Sequence, residues 1–545
     1  FGSSLLGAAP SGAGGGGPLP HRRGGAARAR GGGPMADGSE EAAFVPPFRK
    51  IYFSNEMVSK YEPLATAMRK VTESEGRDDE VWEQYQEHLS KFNSFDWCST
   101  WDGNRYDVVF YGASGYAGYL MTEYLRRVSL KRNPEPFTFA LAGRSRSRVQ
   151  DLRDRAFAGT KHEDAPILQM CYDDVFSIID LVKSARVIVN VAGPYMLTQG
   201  ELLIDACICM GVHYVDVSAE VPWTLRIKDL HRYALKERVF VVPSAGTAGG
   251  YPDLGVHLCA KRAREEHGEE LACAACYVSL GGAAAAASCG TLRTRAALAG
   301  IGEAERDRMA DPFSLGGFVP ERDRWGLKTC SIELGTGKVS ARMRPEDADA
   351  NMGRIAEDGR LGIWRGPFQY SYFDARVVRR SNMLLADLGN RPYGRRLNFL
   401  EYAMLPSEAL AAQRQQQQQQ QQRAVSAGPR APAAPVGGHR EGGEGPALEE
   451  LADAWTGYFL WAESEGGREF RCSFVGRDSY FETARLAVET AMCLRFDRER
   501  LPFAGGVLTP AVACADRLIE RVTGTGVKLR TDDWFPASER SPPPC

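Results

Sequence analysis

Glycines at 112, 115 and 118 close an apolar run, giving Asp107-Val108-Val109-Phe110-Tyr111-Gly112-Ala113-Ser114-Gly115-Tyr116-Ala117-Gly118. Beyond them Leu120, Tyr124, Leu125 and Val128 recur at helical spacing. A strand, a glycine-rich turn and a helix in this order form a cradle for a pyrophosphate. Glycine lets the backbone approach closely, and the helix start offers unpaired N–H groups at the positive end of its dipole. A glycine triplet alone is more often an ordinary turn, but the strand before it and the helix after it favour a dinucleotide.

The second apolar run, Phe137-Thr138-Phe139-Ala140-Leu141-Ala142, ends in Gly143-Arg144-Ser145-Arg146-Ser147-Arg148. A fold selective for NAD places an acid here, to accept hydrogen bonds from the ribose hydroxyls. Arg144 and Ser145 suit a 2′-phosphate instead, because a guanidinium holds it with paired charge-assisted bonds. The competing reading is a solvated basic helix start. Its place directly after the second strand favours NADP(H).

A third run, Val187-Ile188-Val189-Asn190-Val191-Ala192-Gly193-Pro194-Tyr195, brings Asn190, Val191, Ala192, Gly193 and Pro194 to a strand end that borders the nicotinamide ribose in such folds. Reduction of an unsaturated substrate also needs a proton donor within reach of the reacting atom. Tyr195, Asp216 and Glu220 are the catalytic candidates at the strand ends, with Asp216 equally readable as an anchor for its turn. His213 reads more simply as the start of a strand. Ser244 to Gly255 is rich in small residues and marks either a pocket between two domains or a plain hinge.

These residues need a scaffold, and the apolar runs at 107–111, 137–142, 187–191, 213–217 and 239–243, with a weaker one at 166–171, supply it. Strands alternating with helices predict a Rossmann-type doubly wound α/β sheet over 106–253. Helix-like 254–267 and strand-like 272–280 then open a second domain of mixed structure spanning 254–405 and 448–535. Gln415 to Gln422 and the Pro-, Ala- and Gly-rich stretch after it predict a disordered insertion over 406–447. Residues 1–45 read as a disordered segment, and 46–105 as a helical arm with Met57, Tyr61, Leu64, Met68 and Val71 on one face.

A net charge of −2 over 545 residues gives no field for nucleic acid or an anionic membrane. No window approaches the roughly 20 apolar residues of a spanning helix. Thirteen cysteines show no paired framework, which points to a reducing, intracellular compartment. Cys273 and Cys276 have redox or zinc spacing but no second pair, so they read as buried thiols and no metal site is expected. The first 36 residues hold four arginines and no acid. They read either as a mitochondrial or plastid transit segment or as sequence upstream of a start at Met35, with cytoplasmic and lipid-droplet locations as the alternatives to import.

Together these segments resemble the saccharopine dehydrogenase-like oxidoreductases, including the mycobacterial trans-acting enoyl reductases. The resemblance continues through Pro252-Asp253-Leu254-Gly255, Asp374-Ala-Arg376-Val-Val-Arg379-Arg380-Ser381, Thr483-Ala484-Arg485 and Gly505-Gly506-Val507-Leu508-Thr509-Pro510. It implies an NADP(H)-binding Rossmann domain and an α+β domain that closes over the cofactor and often forms a homodimer. One departure stands out: family members tend to carry Asp where this chain has Ala248. The resemblance implies a reductase of a C=C (enoyl) bond in a small-molecule, lipid-linked or glycolipid-type substrate. The alternatives are a saccharopine dehydrogenase of lysine metabolism and a non-catalytic NADP-binding protein at a lipid surface.

Overall fold

The computed structural model describes residues 105–132, 136–282, 287–317, 344–416 and 445–543, the backbone of 330–334 and 337–341, and the single residue Glu83. The N-terminal segment and, apart from Glu83 and Arg105, the helical arm lie outside the described residues.

The first sheet is parallel throughout, in the order β15-β6-β5-β4-β1-β2-β3. Its strands are β1 (Tyr106–Tyr111), β2 (Phe139–Gly143), β3 (Ile167–Gln169), β4 (Ala185–Asn190), β5 (His213–Asp216), β6 (Phe240–Val242) and β15 (Gly506–Val507). Val108, Val109, Leu141, Val187, Ile188 and Val215 are fully buried because helices cover both faces, which is why these strands read as unbroken apolar runs. The chain winds outward from β1 to β3, then returns to place β4 on the other side of β1. In this register Tyr111 lies level with both Ala142 and Asn190, so the carboxyl ends of three strands meet at the switch point, where such sheets bind ligands.

Strands β8 (Cys330–Leu334) and β9 (Gly337–Ala341) pair with each other, and the second large sheet also takes in β10 (Ala356–Asp358), β11 (Ile363–Gly366), β14 (Glu469–Arg477) and β16 (Lys528–Arg530). That sheet is mixed, in the order β10-β11-β12-β7-β13-β14-β16. Its centre is β7 (Leu271–Gly281), parallel to β12 (Asn398–Leu405) and antiparallel to β13 (Trp455–Ser464). Cys273 and Cys276 sit on β7 as free thiols, and among the described residues no cluster of potential metal ligands is found. No described helix is long and apolar enough to cross a membrane.

Two sequence boundaries change. The Rossmann sheet does not end at 253: Gly506 and Val507, placed by the sequence in the second domain, pair with Phe240 and Val241 as a seventh strand. The two-residue length of β15 explains why no apolar period announced it. The insertion expected to be disordered over 406–447 is ordered at both described flanks. Residues 408–416 are helical, Ala411 is buried, and Gln415 donates to the Ile355 carbonyl at 3.1 Å. Glu, Ala, Leu and Gln are good helix formers, so the local propensity outweighs the low complexity. At the other end the Pro446 carbonyl accepts from the Tyr116 hydroxyl at 2.8 Å.

Three of the segments that carried the resemblance beyond the Rossmann domain, 252–255, 374–381 and 505–510, converge on one buried knot. Asp253, fully buried near the start of a helix (Tyr251–His267), accepts from Ser381 Oγ at 2.5 Å and the Tyr393 hydroxyl at 2.9 Å. Ser381 Oγ also pairs with Thr509 Oγ1 at 2.6 Å, and Arg380 donates to the Val507 carbonyl at 2.9 Å. Residues from four distant stretches thus tie the second sheet to the first. Burial pushes the Asp253 carboxyl up to about 7, against hydrogen bonds that pull it down. Its folded pKa exceeds its unfolded value, so the folded protein holds the extra proton. That stabilisation is complete below the ordinary aspartate pKa and is lost as pH rises through about 7. Asp253→Asn should therefore flatten the fall in Tm between about pH 5 and about pH 8. An unchanged slope in a thermal melt series would remove Asp253 as a source of it.

Candidate active site

At the switch point each glycine has a different task. Gly112 adopts φ +90, and a Cβ there would lie 2.7 Å from the Ala192 nitrogen, so it permits the glycine turn to touch the loop after β4. A Cβ on Gly118 would fall 2.3 Å from the Ala113 carbonyl oxygen, so this glycine serves helix packing. Gly115 differs: its Cβ would meet only the Gly112 carbonyl at 3.3 Å, leaving open space. It also stands just before the helix Tyr116–Tyr124, which no side chain caps. This combination of open backbone and uncapped N–H groups fits a pyrophosphate.

The other predicted cofactor residues gather at the same place. Ser114 lies beside Gly143, where a Cβ would be 3.8 Å from its hydroxyl, and Ala113 is buried beneath the turn. Arg144 is exposed at the end of β2, its backbone carbonyl fixed by Gln169 Nε2 at 3.0 Å. Ser145 Oγ accepts from the Arg148 N–H at 3.4 Å and caps the next helix, so it both starts that helix and flanks Arg144. Val191 donates to the Tyr111 carbonyl at 2.9 Å, with half-buried Ala192, exposed Gly193 and buried Pro194 following. Half-buried Ala117 completes the turn. Two side chains point elsewhere than a ligand. Tyr116 packs edge-on against Tyr480 at 5.2 Å, and Asn190 is spent internally, donating to the Tyr172 and Tyr214 hydroxyls and accepting from Ala192 N–H.

The catalytic candidates are brought close together, but two of them are committed to the framework. Tyr195 is buried and stacked on Trp223; its hydroxyl donates to the Asn190 carbonyl at 2.9 Å and accepts from Val217 N–H. Asp216 receives four donors: the Ser218 and Ser244 N–H groups, the Trp223 indole and the Tyr214 hydroxyl. A fully buried carboxylate with four donors anchors its turn. His213 accepts from Phe240 N–H, and burial lowers it to about 3, which keeps it neutral. Glu220 holds the Tyr195 and Met196 N–H groups at 3.1 and 2.7 Å and accepts from Thr294 of the second domain at 3.3 Å. Burial raises its pKa, with desolvation outweighing those bonds.

Thr294 belongs to the helix Cys289–Ala299 of the second domain. Eleven residues reach about 16 Å. At its start Ser288 N–H donates to the Tyr480 hydroxyl at 2.8 Å, beside Tyr116 of the glycine turn; further along, Thr294 meets Glu220 below the β4 loop. The helix therefore bridges the two ends of the dinucleotide cleft. Next to Thr294, Arg295 donates to Gln369 at 2.5 Å, and its positive charge acts on the Tyr370 hydroxyl. Half-buried Ala219, Leu225, Ala248, Met309 and Tyr372 pack against buried Val221, Leu315, Phe373 and Val377, an apolar patch where β5 and β6 meet the second domain. Thr294, Arg295, Tyr370 and Tyr480 were missed because no local pattern links residues about 75 to 190 positions apart; only the fold does.

Residues 108–242 match the family described as the saccharopine dehydrogenase NADP binding domain. That stretch of the chain is a saccharopine dehydrogenase-type NADP-binding domain. A trans-acting enoyl reductase of Mycobacterium leprae is 27% identical over 452 residues, covering 79% of this chain and 98% of that protein. One of Mycobacterium tuberculosis is 27% identical over 437 residues, covering 78% and 97%. Among solved structures, the L-Glu-forming saccharopine dehydrogenase of Saccharomyces cerevisiae aligns over 78% of this chain and 99% of its own, at 12% identity and a TM-score of 0.41. The cofactor of this saccharopine dehydrogenase-like chain is NADP(H). Gly115, the uncapped helix start and exposed Arg144 fit it.

Proposed function

We propose that this oxidoreductase reduces the C=C bond of an enoyl substrate carried on an apolar, lipid-type chain. The observation that carries the reading is the apolar patch of Ala219, Leu225, Ala248, Met309 and Tyr372 beside the strand ends. An acyl chain gains by leaving water for such a surface. Saccharopine, with three carboxylates, would need cations there. The relatives named as enoyl reductases support the same reading. NADPH supplies the hydride when bound. Residues 112–118 and 190–194, with Arg144 and Ser145, hold and orient it; Tyr195 and Asp216 position the nicotinamide-side loops. Glu220 and Tyr370 are the two acids bordering the Thr294–Arg295 bridge and so the candidates for moving the proton.

Purified protein should consume NADPH with a long-chain trans-2-enoyl thioester and show little oxidation of saccharopine with NADP⁺. Glu220→Gln and Tyr370→Phe, compared on the active substrate at saturating NADPH, then identify the proton donor as the one whose loss lowers kcat. Robust turnover of saccharopine would reverse the ordering. A second reading, a non-catalytic NADP-binding protein at a lipid surface, draws on Ala248 and on the framework commitments of Tyr195 and Asp216. Tight NADPH binding with no consumption across enoyl, imine and carbonyl substrates would favour it.

A further inference from the structure

Asp374 and Glu401 are both buried, 1% and 0% exposed, and near enough that each carboxyl acts on the titration of the other. Asp374 lies in the helix Ser371–Gly389 and Glu401 on β12. Asp374 Oδ1 accepts from the Gly249 N–H at 2.6 Å. Asp374 Oδ2 and both Glu401 carboxylate oxygens have no partner if both groups are ionised. The titratable groups facing the pair are Cys276 of β7, Tyr458 of β13, Asp253 of the helix Tyr251–His267, and Tyr370 and Tyr372 beside Asp374 itself. None of these is a cation. Two bare carboxylates this near each other in a dry site repel strongly, and a single proton between them removes a charge and supplies the missing donor.

Gly249 belongs to the turn 246–250, which leaves β6 at the cleft. Thr247 N–H donates to Thr483 Oγ1 at 3.2 Å, Ser244 N–H is held by Asp216 at 3.0 Å, and Ala248 joins the apolar patch. The turn is thus fixed from the Rossmann side by Asp216 and from the second domain by Asp374 and Thr483. We propose that Asp374 and Glu401 share one proton, and that this proton-sharing pair positions the 246–250 turn at the cofactor cleft. Both act through Gly249, as positioning residues.

The sign follows from burial. Desolvation lifts Asp374 to about 7 and raises Glu401 as well, so the folded state holds a proton that the unfolded chain gives up. The stabilisation is complete below the ordinary carboxylate range and is lost as pH rises through the transition of the pair. The second negative charge then loosens the hold on Gly249.

Full-length wild type and Glu401→Gln provide the test, since glutamine keeps the volume and offers a permanent N–H donor. Amide exchange of a peptide covering 245–250, corrected for intrinsic rates, should accelerate at least about tenfold from about pH 6 to about pH 9 in wild type. In Glu401→Gln it should stay nearly level. NADPH affinity between about pH 7 and about pH 9, above the titration of the cofactor's own phosphate, should fall in wild type and not in the variant. An equal pH step in both proteins, in either measurement, overturns the proposal. Wild type alone gives an independent reading. An infrared carbonyl band of a buried carboxylic acid at neutral pH that shifts in Asp374→Asn supports the shared proton; its absence overturns it.

Discussion

Arg144→Asp should weaken NADPH binding at least about tenfold while NADH binding holds level or tightens, as read by fluorescence titration of both cofactors. Losing a charge-assisted hydrogen bond costs about 1.5–3 kcal/mol, roughly ten- to a hundred-fold in affinity, and the new carboxylate adds repulsion toward the 2′-phosphate. The substitution should leave the fold intact. Arg144 is exposed, the hydrogen bond from Gln169 goes to its backbone carbonyl, and among the described residues its guanidinium enters no ion pair. Gly115→Val is the matched control. Its backbone, φ −83, accepts any residue, and the added side chain meets only the Gly112 carbonyl before it enters the pyrophosphate space. It should weaken both cofactors alike. Gly112 and Gly118 cannot serve this purpose, because a Cβ at either would strike backbone. An unchanged NADPH/NADH preference in Arg144→Asp would mean that the run after β2 is only a solvated helix start.

The cofactor half of the cleft was legible because its chemistry is local. The strand Tyr106–Tyr111, its turn and the helix Tyr116–Tyr124 follow one another without a break, and the parallel sheet writes itself as unbroken apolar runs. The substrate half was not. Tyr480 meets Ser288 across 192 positions, and Arg295 meets Gln369 across 74. Neither pairing leaves a period or a spacing to read. The sequence also cannot distinguish a carboxylate that faces a ligand from one that holds a turn. Asp216 and Glu220 look alike as acids near a strand end. One receives four framework donors, and the other reaches across to the second domain. The motifs shared with the family proved to be of two kinds. Those near 112–118 and 190–195 meet at the switch point of the first sheet; those around 253, 374–381, 483–485 and 505–510 join the two sheets.

That joint leads to the largest expected loss of stability. Arg485 and Glu482, 1% and 0% exposed, pair one helical turn apart, Nε to Oε2 at 3.0 Å. Glu482 also accepts from the Tyr251 hydroxyl at 2.6 Å and the Arg477 N–H at 2.9 Å, while Arg485 reaches the Thr525 carbonyl. The guanidinium lies 5.4 Å from the ring of Tyr124, in the helix that follows the glycine turn, and 5.6 Å from Phe481. Arg485→Leu strips the counter-charge and leaves Glu482 ionised in a dry site, a change that typically costs about 3–5 kcal/mol. Glu482→Gln combined with Arg485→Leu removes both charges and should lose clearly less, because the penalty of a lone buried ion disappears. Urea denaturation midpoints of the two variants and wild type measure the difference. The Tyr124 contact adds a functional consequence: Arg485→Leu should also weaken NADPH binding under conditions where the protein is still folded, through the helix that presents its N–H groups to the cofactor. If the single variant is no less stable than the double, Glu482 is sufficiently solvated by its remaining donors, and the pair is not what anchors the second domain to the glycine turn.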